Sequence, residues 1–139
     1  MDDSLIFLFA AILIVGALLF AAITLTKNSP KQLDVERYRV KWLSIEQELK
    51  KDSPSSFHLS VLNADKLLDH ALKDRAFKGE TMGERMKSAK STWSSPNGVW
   101  NAHKLRNRIA HESDVHVTYD EAHRALGGFK QALRDLGAI

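Results

Sequence analysis

A long run without a charged side chain, Leu5 to Leu25, constrains this chain more than any other feature. As a helix, at 1.5 Å per residue, it would extend about 31 Å, which matches a bilayer hydrocarbon core of about 30 Å. A cleaved signal peptide is the rival interpretation, and it would carry a basic n-region and a shorter apolar core. Here Asp2 and Asp3 precede a long core. The sequence therefore predicts a retained transmembrane helix at residues 1–26.

The distribution of basic residues predicts how this helix is oriented. No Lys or Arg precedes the apolar run, whereas several follow it closely: Lys27, Lys31, Arg37, Arg39 and Lys41. Cytoplasmic flanks of membrane helices carry an excess of Lys and Arg. We therefore expect a single-pass protein of the cell membrane, with its C-terminal domain in the cytoplasm.

The remainder of the chain predicts a helical bundle. Residues 27–32, with Asn28-Ser29-Pro30, form a short linker because this tripeptide breaks the helical pattern. In residues 33–139 apolar side chains recur at steps of three and four, and no segment alternates apolar and polar residues. The predicted fold class is all-α, with the membrane helix followed by about five helices. The absence of cysteine excludes disulfides and thiolate metal sites.

Local signals predict where several of these helices begin and end. Ser53-Pro54 marks a helix start, and two capping boxes begin later helices, Thr81 with Glu84 and Thr118 with Glu121. A helix from about Leu33 to Lys51 precedes one from about Ser56 to Phe77, which Lys78-Gly79 is expected to close. Gly127 and Gly128 either weaken the last helix or let a neighbouring helix approach closely.

Asp65 interrupts the apolar stripe of the second of these helices. It follows Val61 by four residues and precedes Leu68 by three, so it shares their face. A carboxylate that faces a core is costly unless a cation or hydrogen-bond donors meet it. Asp65 therefore either lies at the rim of the stripe in water or has a partner, for which an arginine on a facing helix is the natural choice.

Cations, an amide and histidines are interleaved with apolar residues between Trp100 and Glu112. On a helix His103, Asn107 and His111 share one face, because they are four residues apart. Arg106 lies at the border of that face, about 140° around the helix from His111. The two converge only if the helix bends near His111, or if two chains pack together and complete the site across a two-fold axis.

This set of side chains suits the cleavage of RNA. A histidine can take the proton of a ribose 2′-OH or protonate the leaving oxygen. A planar arginine can hold the phosphate by two contacts and stabilise the charge of the transition state. We assign catalysis to Arg106, His111 and Asn107, with Asn107 as the orienting group. His103, Lys104 and Arg108 are assigned to substrate binding, since cations attract the nucleic-acid backbone.

Arg106-Asn107-Arg108-Ile109-Ala110-His111 resembles the Arg-polar-x-x-x-His signature of the HEPN superfamily, and it lies late in an all-helical region with one amphipathic helix after it. The resemblance covers about Leu33 to Ile139. It implies that Arg106 and His111 are the active pair, that a homodimer forms the site, and that Asp65 matches an inward acidic residue. Many members resemble metal-independent endoribonucleases, whereas others are binding or scaffold modules. The membrane helix departs from the soluble toxins of the superfamily.

Two functions therefore remain open: a membrane-anchored endoribonuclease, and a non-catalytic anchored module that binds a nucleotide or a second protein. In the second case Arg106, Asn107 and His111 would hold the helices or a dimer together. A metal site is not expected, because His103 and His111 lie about 12 Å apart along a helix and lack supporting carboxylates. No cofactor is predicted, and the expected partners are the membrane, RNA or a nucleotide, and a second copy of the chain.

Overall fold

The protein is all-helical in a computed structural model that describes residues 2–27 and 30–139. In these residues six helices follow one another: α1 (Asp3–Lys27), α2 (Val35–Glu48), α3 (Pro54–Asp74), α4 (Met82–Ser88), α5 (Pro96–His111) and α6 (Tyr119–Asp135). The predicted all-α class, with five helices after the N-terminal one, is confirmed. Asn28 and Ser29, which the sequence assigns to the linker, lie outside the described residues. The chain divides into two compact units, Met1–Pro30 and Lys31–Ile139.

Helix α1 is apolar on every side. The stretch Asp3–Thr26 has a mean hydropathy of 3.0, and the protein itself buries none of it. Large side chains such as Phe7 and Leu13 expose 74% and 73% of their surface. Exposed apolar surface on this scale is unfavourable in water and favourable in hydrocarbon. Helix α1 is thus long and apolar enough to span a membrane.

In the second unit, α3 is the helix on which the other four pack. Its apolar stripe is fully enclosed, with Val61, Leu68 and Leu72 at 0% exposure. Helix α6 covers the same region with Phe129 and Leu133, which are also fully buried. The core therefore surrounds α3, and any polar group on its stripe must find its partners inside the protein.

The predicted helix starts are confirmed. Thr81 and Glu84 form a reciprocal capping box at α4, and Thr118 and Glu121 form another at α6. In each, the threonine hydroxyl accepts from the glutamate N–H at 3.2 Å. Pro54 occupies the first turn of α3 after Ser53, although the Ser53 side chain makes no capping hydrogen bond.

The predicted end of α3 at Lys78-Gly79 is wrong. The helix ends at Asp74, because Ala76 adopts a left-handed conformation with φ of 59°. The Phe77 N–H then donates to the Leu72 carbonyl at 3.1 Å, and the Ala76 N–H to the Lys73 carbonyl at 2.9 Å. This is the Schellman pattern, which usually places glycine at the left-handed position. An alanine there leaves no signal in the sequence.

Helices α5 and α6 meet at two glycines. A Cβ added to Gly128 would lie 2.4 Å from the Gly98 carbonyl oxygen, which is far inside van der Waals contact. The neighbouring Gly127 has nothing within 4 Å of its Cβ position. Of the two roles proposed for this glycine pair, close helix approach therefore holds for Gly128.

We expect Gly128→Ala to lower the free energy of unfolding by about 1–3 kcal/mol, because the methyl group overpacks the α5–α6 contact. Gly127→Ala is the matched control and should instead raise it by about 0.5–1 kcal/mol, since alanine is the better helix former and meets no obstacle. Urea unfolding of the full-length chain in detergent micelles, followed by circular dichroism, measures both. Equal stability of the two variants would show that the helices do not touch at Gly128.

Candidate functional site

Helix α5 carries the residues that the sequence singled out. It starts at Pro96, is anchored in the core by Val99, Ala102 and Leu105, and ends at His111 as predicted. The Arg106–His111 segment thus occupies its last turn and a half. One edge of this segment faces α3, and the rest lies at the surface.

Asp65 is the polar centre of the region. Its exposure is only 3%, and it lies on α3 between fully buried Val61 and Leu68. One carboxylate oxygen forms a 2.8 Å hydrogen bond with Nδ1 of His103 on α5. When the carboxylate is ionised it can only accept, so Nδ1 carries the hydrogen. Of the two placements expected for Asp65, the structure shows the buried one with internal partners.

Arg106 is the second partner of Asp65. Its Nε lies 3.1 Å from the other carboxylate oxygen, which is an ion-pair distance. The N–H is not aligned with that oxygen as a hydrogen bond requires, so the attraction is mainly between charges. The Nη1 group donates to the Asn107 side-chain oxygen at 3.0 Å. The Arg106 side chain remains 35% exposed, so its guanidinium is held on one side and is not enclosed.

His103 belongs to the interior of the bundle. It is 8% exposed, and its ring packs edge-on against Trp100 with centroids 6.2 Å apart. A Cβ on Gly83, at the start of α4, would lie 3.9 Å from its Nε2. The sequence grouped His103 with the substrate-binding cations, whereas the structure places it as the internal partner of Asp65. The sequence feature that could have indicated this placement is its position three residues before Arg106. At that spacing both side chains lie on the face of α5 that contacts α3.

His111 lies at the exposed end of α5. In the part of the chain that the structure describes, its side chain makes no hydrogen bond or ion pair. It follows Arg106 by five residues, so an unbent helix separates the two by about 140°. Within one chain the structure therefore does not bring Arg106 and His111 together.

Lys104 and Arg108 lie on another side of α5. Both line a groove of about 390 Å³ between α5 and α6, together with Arg124 and Glu121. Arg108 also lies 3.7 Å from Glu112, and both of these side chains are about half exposed. An exposed pair of this kind contributes little to stability. Lys104 and Arg108 thus form a cationic surface apart from the Asp65 cluster.

A second ionic cluster lies one turn along α3 and was missed in the sequence. Asp69 accepts from Nε of the buried Arg85 at 2.8 Å and pairs with Lys73 at 2.9 Å. Arg85 also donates to the Gly79 carbonyl at 2.7 Å. Burial raises the pKa of Asp69, but the hydrogen bonds from Arg85 and Lys73 outweigh it, so the pKa is lowered. The available signal was the position of Asp69, four residues after Asp65 on the same helix.

The arrangement contains an arginine, which is a side chain that can hold a phosphate, and an exposed histidine, which is a side chain that can transfer a proton. Within residues 2–27 and 30–139 no group of three or more His, Asp or Glu side chains is placed to hold a metal ion. No protein-family model matches the chain, and neither a curated protein nor a solved structure shows significant similarity to it. The geometry around Asp65, Arg106 and His111 is therefore what indicates a function for this chain.

We expect Asp65→Asn to lower the free energy of unfolding by about 2 kcal/mol. The amide can still bond His103, but it leaves the Arg106 charge without its counterion. Breaking a fully buried pair costs about 3–5 kcal/mol, and solvent at the exposed third of Arg106 reduces this figure. Asp114→Asn, at an exposed position, is the control and should change stability by less than about 0.5 kcal/mol. Urea unfolding of the full-length variants measures both effects. Equal unfolding midpoints for Asp65→Asn and Asp114→Asn would contradict a stabilising role of the Asp65 charge.

Proposed function

We propose that this chain is a single-pass membrane protein with a HEPN-like domain that binds RNA and cleaves it without a metal ion. The observation that supports this proposal best is that the Arg106 side chain is held in place and yet partly exposed. Asp65 and Asn107 fix its guanidinium on one side, while a third of the side chain stays exposed. A purely structural arginine would be expected inside the bundle with its donors saturated. A fixed and accessible one suits the binding of a phosphate.

The chemistry assigned to the site needs only these side chains. Arg106 would bind the scissile phosphate and stabilise the negative charge that grows in the transition state. His111 would take the proton of the ribose 2′-OH, whose oxygen then attacks phosphorus, or would protonate the departing 5′ oxygen. Asn107 contacts the guanidinium and would keep its orientation constant. Such proton transfer typically accelerates a reaction by about 10²–10⁴.

The separation of Arg106 and His111 around α5 supports a site shared by two chains. A two-fold axis beside the last turns of α5 would bring the exposed His111 of one chain towards Arg106 of the other. We propose that the active form is therefore a homodimer. Lys104 and Arg108, on the other side of the helix, would attract the RNA backbone at a distance from the cleaved bond.

The proposed location rests on α1 and the basic residues after it. We propose that α1 crosses the cell membrane once and that the basic segment beginning at Lys27 keeps the bundle on the cytoplasmic side. Cytoplasmic RNA is then the available substrate. This placement differs from that of a freely diffusing nuclease, because it confines cleavage to RNA that reaches the membrane.

A second function is supported by the Asp65 cluster itself. The two oxygens of Asp65 already meet His103 and Arg106, so the carboxylate is fully engaged inside the protein. A non-catalytic anchored module, in which the cluster only fixes α5 against α3, would have the same contacts. In that case α5 would bind a partner protein or a nucleotide through its exposed face, and His111 would have no role in proton transfer.

The experiment that decides between these two functions is RNA cleavage by the full-length chain in detergent micelles with EDTA present. We expect His111→Ala to reduce cleavage by about 10²–10⁴ without loss of helicity, because the residue is exposed. His116→Ala is the matched control, since His116 is an exposed histidine in the connection between α5 and α6. The His116→Ala chain should cleave RNA at the same rate as the natural chain. Equal cleavage by both variants, or none by the natural chain, would favour the non-catalytic module.

A subunit-mixing experiment tests the shared site. Arg106→Lys and His111→Ala chains should each be inactive alone. After mixing, half of the dimers would be mixed and each would hold one complete site. We therefore expect activity to recover to about one quarter of the natural level. No recovery, when light scattering shows that mixed dimers form, would place Arg106 and His111 of one chain in the same site.

A further inference from the structure

A cavity between α2 and α3 has a volume of about 160 Å³. This is smaller than the pockets of about 300–1,000 Å³ that hold drug-sized ligands, so it suits a compact chemical group. Neither Asp65 nor any residue of α5 lines it, so a ligand bound there would be independent of the proposed RNA site. Its polar lining residues come from both helices: Arg37, Tyr38, Lys41, His70, Lys73 and Asp74.

Hydrogen bonds hold the walls of this α2–α3 cavity together. The Tyr38 side chain is buried, and its hydroxyl donates to the Asp74 carboxylate at 2.7 Å. Burial and the neighbouring Asp74 raise the pKa of Tyr38, so the hydroxyl keeps its hydrogen at neutral pH. The backbone N–H of Lys31, which precedes α2, donates to the Asp74 carbonyl at 2.7 Å. The end of α3 is therefore tied to α2, and the cavity is formed before any ligand binds.

The α2–α3 cavity has an excess of positive charge. Arg37, Lys41 and Lys73 are cationic, and Asp74 is the only carboxylate among the described residues that line the cavity. In residues 2–27 and 30–139 the side chains of Arg37 and Lys41 form no hydrogen bond or ion pair. Like charges that line one cavity repel each other, and an anion between them would remove this repulsion.

Lys73 is only partly neutralised within the protein. It pairs with Asp69 at 2.9 Å, and the same carboxylate accepts from Arg85 at 2.8 Å. One carboxylate thus serves two cations, and the Lys73 ammonium keeps further N–H donors for a ligand. The Lys73 side chain is 53% exposed, so these donors are accessible.

His70 responds to this excess of positive charge. Burial lowers its pKa, Lys41 and Lys73 lower it further, and Asp69 raises it while Lys66 lowers it. The pKa is therefore below its usual value, and the ring is mostly uncharged at mildly alkaline pH. An anion bound beside the ring would stabilise its protonated form. The His70 ring can thus report on an anion in the α2–α3 cavity.

We propose that the α2–α3 cavity binds the phosphate group of a phosphate monoester. Such a group is compact and carries nearly two negative charges at neutral pH. The Arg37 guanidinium would contact two of its oxygens, and Lys41 and Lys73 would bind as point charges. A phosphodiester, as in the RNA backbone, has one charge per phosphate and is substituted on two sides, so it matches the cavity less well. A phospholipid of the membrane proposed for α1 is one source of the group, and a soluble phosphate is the other.

Inorganic phosphate and dimethyl phosphate are the soluble probes, added to the full-length chain in uncharged detergent micelles at constant, mildly alkaline pH. The readout is the NMR signal of the His70 ring, which His70→Gln identifies by its loss. We expect inorganic phosphate to shift this signal saturably. Dimethyl phosphate should bind at least about tenfold more weakly, because it carries one charge instead of nearly two. The signal of His58, which lies on α3 outside the cavity, should not shift.

Arg37→Gln removes a cation from the cavity, and Arg39→Gln is the matched control, because Arg39 is an exposed residue of α2 that does not line the cavity. Both variants lose one positive charge, so general attraction of anions weakens equally in both. We expect inorganic phosphate to bind at least about tenfold more weakly to Arg37→Gln and with nearly unchanged affinity to Arg39→Gln. Lys41→Gln should behave as Arg37→Gln does, and it takes its place if Arg37→Gln loses helicity. Equal affinity in all three variants would overturn the site.

A lipid bilayer distinguishes the two sources of phosphate. The full-length chain is placed in phosphatidylcholine nanodiscs with and without phosphatidic acid, whose head group is a phosphate monoester. A His70 shift that requires phosphatidic acid and is lost in Arg37→Gln would identify a lipid ligand. A shift with inorganic phosphate alone would identify a soluble one, and shifts with both would mean that the phosphate group itself is sufficient. No saturable shift with either probe, or equal affinity for inorganic and dimethyl phosphate, would overturn the proposal.

Discussion

The bundle depends on the charge of one buried carboxylate. Asp65 lies on α3, which every other helix of the bundle contacts. Its neighbours on the same stripe, Val61 and Leu68, are apolar and fully buried. An ionised carboxylate in such a place is unstable without partners, so α5 must present both His103 and Arg106 to it. This requirement fixes the rotation of α5 about its own axis. The fixed rotation in turn places Lys104 and Arg108 on the side of α5 that lines the groove with α6.

The sequence predicted most of the fold because its signals were local. The capping boxes at Thr81 and Thr118 need only two side chains three residues apart, and both formed as expected. The end of α3 was not predictable in this way. Ala76 adopts a left-handed conformation that alanine seldom takes, and the hydrogen bonds that stabilise it become visible only in three dimensions.

The candidate site was predictable in part. The spacing of Asp65 on an apolar stripe left two placements open, a carboxylate at the rim in water or one with a partner such as an arginine. The structure shows the second, with Arg106 as a partner. The sequence did not reveal that His103 shares the carboxylate, because a histidine on a helix face fits a ligand contact and an internal hydrogen bond equally well. Choosing between them requires the distance between α3 and α5. The cavity between α2 and α6, which Trp42 and Tyr119 help to line, was also not predictable, because these two residues are far apart along the chain.

The apolar surface of α1 has a consequence for how copies of the chain meet. Once such a helix is inserted in a bilayer, the molecules diffuse in two dimensions with their bundles on a common surface, and this restriction raises their effective concentration. An interface too weak to hold two copies together in solution can then be populated in the membrane. Activity that needs two chains would rise with about the square of the surface density while dimers are scarce. For the proposed homodimer, the onset of activity would then depend on the level of expression.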